Sequence, residues 1–250
     1  MRETVIVLTL FCLFGYIVAK YPTDLTRCHF GDTNCLKKTI QEYATQLKSG
    51  RRDLGLVPID PLQVDEVNID QGNTSPVNIN LKFRDLKCHG LSTATIKKVV
   101  GFQKDIANSK FEIYAKIERI SLVGRYKARG NILLLPIFGN GAANLTLDNI
   151  DASIKFIAKA ETKKSKQHLR VTDLILDFDT TRLWMNFENL INGDQLLSES
   201  TNTFLNDNWT EILRELKPVL TKAIGGIYKA VAEPIFNKFP YEELFLAHDE

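Results

Sequence analysis

An unusually apolar segment, residues 126–147, constrains this chain more than any other part of the sequence. It holds an apolar run broken by Pro136, a Gly139-Asn140-Gly141 triplet and a second apolar run. Two such runs on either side of a Gly-Asn-Gly turn are typical of a β-hairpin. A hairpin with so few polar side chains needs a covering element. We predict that one long helix covers it, with space between the two for an apolar small molecule.

The start of the chain indicates export. An uncharged apolar run, residues 5–18, follows Arg2, and the small residue Ala19 closes it before Lys20. This pattern predicts a secretory signal peptide, residues 1–19, followed by a single domain, residues 20–250. A membrane anchor is the alternative, but a spanning helix needs about 20 apolar residues. We therefore expect a secreted, extracellular protein without stable membrane insertion.

Cysteine usage agrees with export. Cys12 lies in the signal, so Cys28, Cys35 and Cys88 belong to the mature chain. Cys28 and Cys35 enclose a short polar loop before a helical pattern, which favours a disulfide between them. A metal site is the alternative, although zinc needs about four ligands and only His29 lies nearby. Cys88 is left over, either as a small buried hydrophobe or as an intermolecular link.

Three Asn-x-Ser/Thr sites predict glycosylation of an exported protein: Asn73, Asn144 and Asn208. Asn73 lies in a polar turn and is the best candidate. Asn144 is near the predicted hairpin turn. Asn208 precedes Trp209, which we expect to be buried, yet the Asn208 side chain can point outward from a helix.

The charge distribution excludes some partners. The 32 Lys and Arg residues nearly balance the 30 Asp and Glu residues, and both signs are interspersed. A protein that binds nucleic acid usually carries a basic stripe, and none is present. No internal repeat or linker-like break appears, so we predict one domain and a monomer.

The sequence gives no support for catalysis. It contains no Gly-x-Ser-x-Gly elbow and no His-Glu-x-x-His motif. The histidines in the body of the mature chain, His29, His89 and His168, and His248 in the tail lack a serine or carboxylate at motif spacing. Asp177 and Asp179 could suggest a metal site, but a strand that ends at a turn explains them. We predict no catalytic residue, metal or cofactor.

Apolar residues alternate with a period of two through residues 64–187, which predicts a β region. The alternation changes phase between Ile117 and Ile120, and again between Leu147 and Ile150, as it would at β-bulges. Long strands with bulges curl. One face stays polar throughout, so we expect an antiparallel sheet with one side in solvent.

Two amphipathic helices flank the β region. The first, residues 35–49, has capping side chains such as Asp32 before it. The last element, residues 195–239, carries an apolar stripe at a spacing of three and four and is predicted as one long helix. Pro218 should kink it. A coiled coil is the alternative for this stripe.

Six short motifs carry a family resemblance by their order and spacing. They are Cys28 with Cys35; Leu54-Gly55-Leu56 to Asp60-Pro61-Leu62; Gly90-Leu91-Ser92; the hairpin 130–147; Phe187-Glu188-Asn189-Leu190-Ile191-Asn192-Gly193-Asp194; and Asn208-Trp209 with Glu215-Leu216-Lys217-Pro218. Together they resemble the insect takeout and juvenile-hormone-binding protein family over nearly the whole mature chain. The single mature disulfide is more similar to the takeout branch.

The resemblance implies an α+β fold: a long C-terminal α-helix wrapped by a highly curved antiparallel β-sheet, the TULIP-like super-roll, with an internal hydrophobic tunnel. It also implies a secreted carrier of a terpenoid hormone such as juvenile hormone, a fatty acid or another lipid. Roles in feeding, circadian or chemosensory behaviour are typical of the family. A secreted signalling protein with a filled interior and an enzyme acting on lipids are the alternatives.

Candidate ligand contacts follow from the inward positions of the strands and the last helix. Tyr126 is the candidate polar anchor, because alternation places its hydroxyl on the inner face. Each residue could instead serve only in core packing. The apolar lining candidates are Phe83, Phe111, Ile113, Phe138, Phe156, Phe178 and Trp209.

Overall fold

The computed structural model describes residues 21–72, 76–133 and 135–247. The predicted signal peptide and Asn73 lie outside the described residues. The elements in chain order are α1 Thr33–Gln46, β1 Leu62–Gln71, β2 Val77–His89, β3 Thr95–Gly101, β4 Phe111–Ile132, β5 Leu135–Lys163, β6 Lys166–Asp179, β7 Arg182–Phe187, α2 Gln195–Asp207 and α3 Trp209–Lys238.

The sheet is built on one long hairpin. Strands β4 and β5 have 22 and 29 residues, far longer than the usual 3–10 residues. Each therefore has different partners along its two halves: β4 pairs with β3 and then β2, and β5 pairs with β7 and then β6. All pairings between these strands are antiparallel.

The sheet curls around the last helix. Its strands follow the order β1-β2-β4-β5-β6, and α3 contacts both β1 and β6. The two ends of the strand order can reach one helix only if the sheet wraps around it. The predicted α+β architecture, a long antiparallel sheet with a long C-terminal helix, is confirmed.

The predicted hairpin turn is wrong. The chain turns at Leu133, which has a φ of 54°, and not at Gly139-Asn140-Gly141, which lies within β5. The glycines have another role, because a Cβ on Gly139 would stand 2.2 Å from the Asn189 carbonyl oxygen. A segment that crosses β5 at this point needs the space that the glycines leave.

The phase changes in the hairpin are shared by its two strands. Ile117 pairs with Ile150, and Ile120 pairs with Leu147, so both changes fall at the same place in the ladder. The register is the same before and after this point, so the predicted β-bulge is wrong for this strand pair. Register shifts occur elsewhere: Arg84/Lys87 in the β2–β4 ladder, Ile96/Lys98 in β3–β4 and Ile157/Ala158 in β5–β6.

The predicted single C-terminal helix is two helices. The break is at Asn208, which has φ −107° and ψ 20°, while α3 continues through Pro218 and the Gly225-Gly226 pair. The Asn208 side-chain amide donates to the Phe204 carbonyl at 2.8 Å, and such side-chain bonds compete with regular helix. Helix α3 has 30 residues, which corresponds to about 45 Å.

The predicted disulfide and the capped first helix are confirmed. Cys28 and Cys35 form a disulfide, and the Asp32 carboxylate accepts a hydrogen bond from the Cys35 amide at 2.9 Å as the cap of α1. Cys88 is a free, partly buried thiol.

Two of the family-like motifs are bound to each other. The Asp60 carboxylate accepts hydrogen bonds from the Gly90 amide at 3.1 Å and from the Ser92 amide at 3.0 Å and hydroxyl at 2.5 Å. Burial raises the pKa of Asp60, but these hydrogen bonds outweigh it and hold that pKa below its usual value. The connector before β1 is thereby fixed to the loop that follows β2.

Candidate ligand-binding cavity

An apolar cavity of about 170 Å³ lies between α3 and the inner face of the sheet. Strands β1, β2, β4, β5 and β6 supply its walls, and α3 closes it. Only Cys88 and Tyr228 bring a side-chain heteroatom to this lining. The lining residues are Leu62, Val64, Val67, Ile69, Phe83, Leu86, Cys88, Ile117, Ile120, Leu122, Leu145, Leu147, Ile150, Ala152, Leu176, Phe178, Leu220, Ile224, Ile227 and Tyr228.

The shared phase change of β4 and β5 lies at this cavity. Ile117, Ile120, Leu147 and Ile150, the residues that flank the change, all line it. The two residues between them on each strand leave the inner face, so the sheet bends where the cavity is. The two breaks in alternation are therefore the sequence signal that marks the site.

A second, smaller apolar cavity of about 40 Å³ lies near the α2–α3 junction. Two apolar cavities therefore lie along the predicted tunnel. The lining of the smaller cavity consists of Ile79, Leu81, Ala128, Ile132, Ile137, Met185, Phe187, Leu190, Leu205, Ile212 and Leu216.

Tyr126 stands between the two cavities. It pairs across the sheet with Phe83, which lines the larger cavity. Its ring packs edge-on against Phe187, which lines the smaller one, at a centroid distance of 4.8 Å. Its hydroxyl donates to the Glu188 carbonyl at 2.8 Å, and burial raises its pKa. The Tyr126 hydroxyl is thus already hydrogen-bonded within the protein and does not offer a free polar anchor to a ligand in this structure.

The structure separates the predicted lining residues. Phe83 and Phe178 line the larger cavity. Trp209 packs at the edge of the core around the smaller cavity. Phe138 lies on the outer surface, where it is 54% exposed. Counting the alternation through residues 132–135 placed Phe138 inward, but the turn at Leu133 resets the phase and Ile137 faces the core instead.

The remaining predicted residues lie in another part of the core. Phe111 is buried there, with Ile113 and Phe156 packed against the same cluster. That cluster also contains the disulfide and the C-terminal Tyr241. The structure therefore brings these three residues to the cluster formed with α1 and Tyr241, and does not place them among the residues that line the cavity.

The two polar groups of the cavity are neutral at physiological pH. Burial raises the pKa of Cys88 to about 12, and the nearby Asp60 charge adds to this shift. Burial also raises the pKa of Tyr228, with a smaller contribution from Cys88. Tyr228 is not among the predicted site residues, because it fits the apolar stripe of the last helix.

A polar groove of about 590 Å³ lies on the outer surface at the same bend. Asp148 contacts two other residues of the groove: it forms an ion pair with Arg119 at 2.6 Å and accepts a hydrogen bond from the Trp184 indole N–H at 3.2 Å. The Arg182 guanidinium lies 4.0 Å from the centre of the Trp184 ring. An open groove with these charges suits an apolar ligand less well than the interior cavity does.

Within residues 21–72, 76–133 and 135–247, no three His, Cys, Asp or Glu side chains are grouped so that they could hold a metal ion. In the same part of the chain, no helix combines the length and apolar character needed to cross a bilayer.

The chain is similar to known proteins over most of its length. The model of the haemolymph juvenile hormone binding protein (JHBP) family matches residues 5–246. The crystal structure of Takeout 1 from Epiphyas postvittana superposes with a TM-score of 0.73 and 27% identity, covering 88% of this chain and 99% of that one.

Curated relatives are also similar to this chain over most of its length. The circadian clock-controlled protein daywake of Drosophila melanogaster is 24% identical over 230 residues, which cover 90% of this chain and 88% of daywake. A Schistocerca gregaria protein whose name proposes beta-carotene binding is 21% identical over 212 residues, covering 84% of this chain and 82% of that protein.

Proposed function

Because this chain belongs to the haemolymph juvenile hormone binding protein family, we propose that it is a secreted carrier of a small hydrophobic molecule. The family consists of non-enzymatic proteins that bind hydrophobic ligands. The observation that carries the proposal is the cavity beside α3, whose lining is hydrocarbon except for Cys88 and Tyr228. A terpenoid hormone such as juvenile hormone, a fatty acid or another lipid fits this chemistry.

The size of the cavity sets a condition on the ligand. A cavity of about 150 Å³ holds benzene, so the 170 Å³ cavity in this structure is too small for a chain of about 15 carbons. We propose that a longer ligand displaces side chains between the larger and smaller cavities. Burial releases about 0.8 kcal/mol per methylene, which amounts to about 12 kcal/mol for 15 carbons. Association costs at least several kcal/mol, and the remainder can drive the expansion.

Several features support an extracellular setting. The Cys28–Cys35 disulfide is typical of exported proteins, and the family is one of haemolymph proteins. Of the predicted glycosylation sites, Asn144 is exposed on β5, whereas the Asn208 amide is already bonded to a helix carbonyl. We therefore propose Asn144 as the better acceptor of these two.

The names of the relatives suggest physiological settings. Daywake is circadian clock-controlled, and the Schistocerca gregaria relative is named for a carotenoid. We propose that this chain delivers its ligand in a comparable regulatory or transport role. The alternative of a signalling protein with a filled interior receives less support, because the interior beside α3 contains a cavity.

The test compares a cavity-filling variant with a matched surface variant. Ala152→Phe adds a ring to the cavity wall, and Val123→Phe adds the same group on the outer face of the hairpin, where Val123 is 42% exposed. Uptake of a fluorescent fatty ligand and native mass spectrometry after organic extraction measure binding. We expect the wild type and Val123→Phe to bind, and Ala152→Phe to lose uptake while remaining folded.

One result would contradict the carrier function, and another would contradict this cavity as the binding site. One is a wild-type protein that takes up no fluorescent ligand and yields no extractable lipid. The other is equal uptake by Ala152→Phe and the wild type, which would place the binding site elsewhere. Thermal unfolding of both variants shows whether a loss of uptake reflects lost space or lost fold.

A further inference from the structure

Resting on the proposed carrier function, we propose that Tyr228 makes the cavity selective for ligands with one uncharged hydrogen-bond acceptor on a hydrocarbon skeleton. Such an acceptor is an ester, ketone, ether or epoxide oxygen. The proposal distinguishes these molecules both from pure hydrocarbons and from ionised fatty acids.

The hydroxyl of Tyr228 is an exception among the tyrosines. Tyr228 lines the cavity, and its hydroxyl has no hydrogen-bond partner in the described part of the chain, unlike the hydroxyl of every other described tyrosine. Those five hydroxyls bond as follows: Tyr21 to Tyr43 at 3.0 Å, Tyr43 to the Thr26 carbonyl at 2.5 Å, Tyr114 to Glu112 at 2.7 Å, Tyr126 to the Glu188 carbonyl at 2.8 Å and Tyr241 to the Gln103 carbonyl at 2.9 Å.

A hydroxyl in an apolar cavity wall without a protein partner calls for a physical explanation. A polar group that faces apolar surroundings without a hydrogen bond is unfavourable, and phenylalanine would fill the same position on α3 without that cost. Packing therefore explains the ring of Tyr228 but not its oxygen. A ligand oxygen in the cavity would accept the missing hydrogen bond.

The rest of the lining determines which acceptor fits. Its other side-chain heteroatom is the Cys88 sulfur, a weak hydrogen-bond donor. No Lys, Arg or His lines the cavity, so the carboxylate of a fatty acid would be buried without a counter-charge, which is strongly unfavourable. Because burial raises the pKa of Tyr228, its hydroxyl keeps its proton and remains a donor.

A charge near the cavity rim does not change this conclusion. The Lys217 ammonium lies 5.8 Å from the centre of the Phe178 ring, which is part of the wall. It is already bonded to Asp177 and Asp179, each at 2.9 Å. This cation is therefore engaged by two carboxylates and does not offer a free charge to an acidic ligand.

The test uses two probes of equal chain length, a symmetric long-chain ketone and the corresponding n-alkane, in competition with a fluorescent fatty ligand. We expect the wild type to bind the ketone about fivefold to tenfold more tightly than the alkane, the value of one neutral hydrogen bond. Tyr228→Phe should remove this preference by weakening ketone binding and not alkane binding.

Tyr241→Phe is the matched control, because it removes a buried hydroxyl that is bonded to the Gln103 carbonyl and lies in the cluster at the other end of the core, away from both cavities. It should keep the ketone preference. A preference that persists in Tyr228→Phe, or a wild type that binds both probes equally, would overturn the selectivity and leave the carrier function standing. A wild type that binds the fluorescent ligand but neither probe would overturn the selectivity alone, and a wild type that binds none of the three would overturn both.

Discussion

Gly225 of α3 lies against the carbonyl oxygen of Leu174 in β6: a Cβ on Gly225 would stand 2.7 Å from that oxygen. Real Cβ atoms do not approach so closely, so only glycine permits this contact between helix and strand. The next residue, Gly226, has open space where its Cβ would be. Since Ile224 and Ile227 line the cavity, the contact at Gly225 sets how deeply α3 sits over it.

Alanine substitutions at Gly225 and Gly226 should change the free energy of unfolding in opposite directions. Gly225→Ala should lower the free energy of unfolding by about 1–3 kcal/mol, because the helix must move away from β6. Gly226→Ala should raise it by about 0.5–1 kcal/mol, because alanine is favoured over glycine within a helix. Equilibrium denaturation with urea measures both. Changes of the same sign would show that α3 does not rest on β6 at Gly225.

Much of the architecture could be predicted because it depends on local pattern. Alternation with a period of two defined the strands, and the spacing of three and four defined the C-terminal helices. The short loop between Cys28 and Cys35 favoured the disulfide that the structure contains. The position of the hairpin turn was predicted wrongly, because Gly139 and Gly141 make room for a segment about 50 residues later in the chain. No local pattern reveals that contact.

That crossing contact gives a second prediction. Gly139→Ala should lower the free energy of unfolding by about 1–3 kcal/mol, because the new Cβ would stand 2.2 Å from the Asn189 carbonyl and 2.5 Å from the Leu190 carbonyl. Gly72→Ala is the control, since nothing lies within 4 Å of its Cβ position. If Gly139 were only a turn residue, the denaturation curves of the two variants would be alike.

The binding site was harder to predict than the fold. Phe83 and Phe178 were found because strand alternation fixes which face a side chain takes. Tyr228 was missed because the apolar stripe of a helix does not show which of its members faces a void. The packing of Tyr126 against Phe187, close to both cavities, was also missed, because it joins distant parts of the chain.

The ion pairs of Lys217 with Asp177 and Asp179 should make the stabilising contact between α3 and the end of β6 depend on pH. Its hydrogen bond holds the pKa of Asp177 below its usual value. Burial lowers the pKa of Lys217, but the bonds to Asp179 and Asp177 outweigh this and raise it. Stabilisation through Asp177 is present above about pH 4 and lost as the pH falls through its folded pKa. Stabilisation through Lys217 is present below about pH 10 and lost as the pH rises further.

Lys217→Met should therefore destabilise the protein by about 0.5–1 kcal/mol at pH 7 and low salt, a value suited to a partly exposed ion pair. At pH 3 the difference from the wild type should shrink towards zero. Lys222→Met, an exposed position on the same helix, is the control and should show no such pH dependence. If Lys217→Met lowers the free energy of unfolding equally at pH 7 and pH 3, the loss comes from packing against Phe178 and not from charge.

Cys88 predicts a loss of stability in alkaline solution. Burial raises the pKa of its thiol to about 12, whereas the thiol of an unfolded chain ionises near pH 8.5. Between these values the folded protein holds a proton that the unfolded chain has released, so stability falls as the pH rises. From pH 8 to pH 10 the loss should be about 1–2 kcal/mol, and Cys88→Ala should remove that part of the decline. Urea denaturation of the wild type and Cys88→Ala at pH 8 and pH 10 measures this difference. If both proteins lose the same stability between these pH values, the thiol is not shielded in the cavity wall.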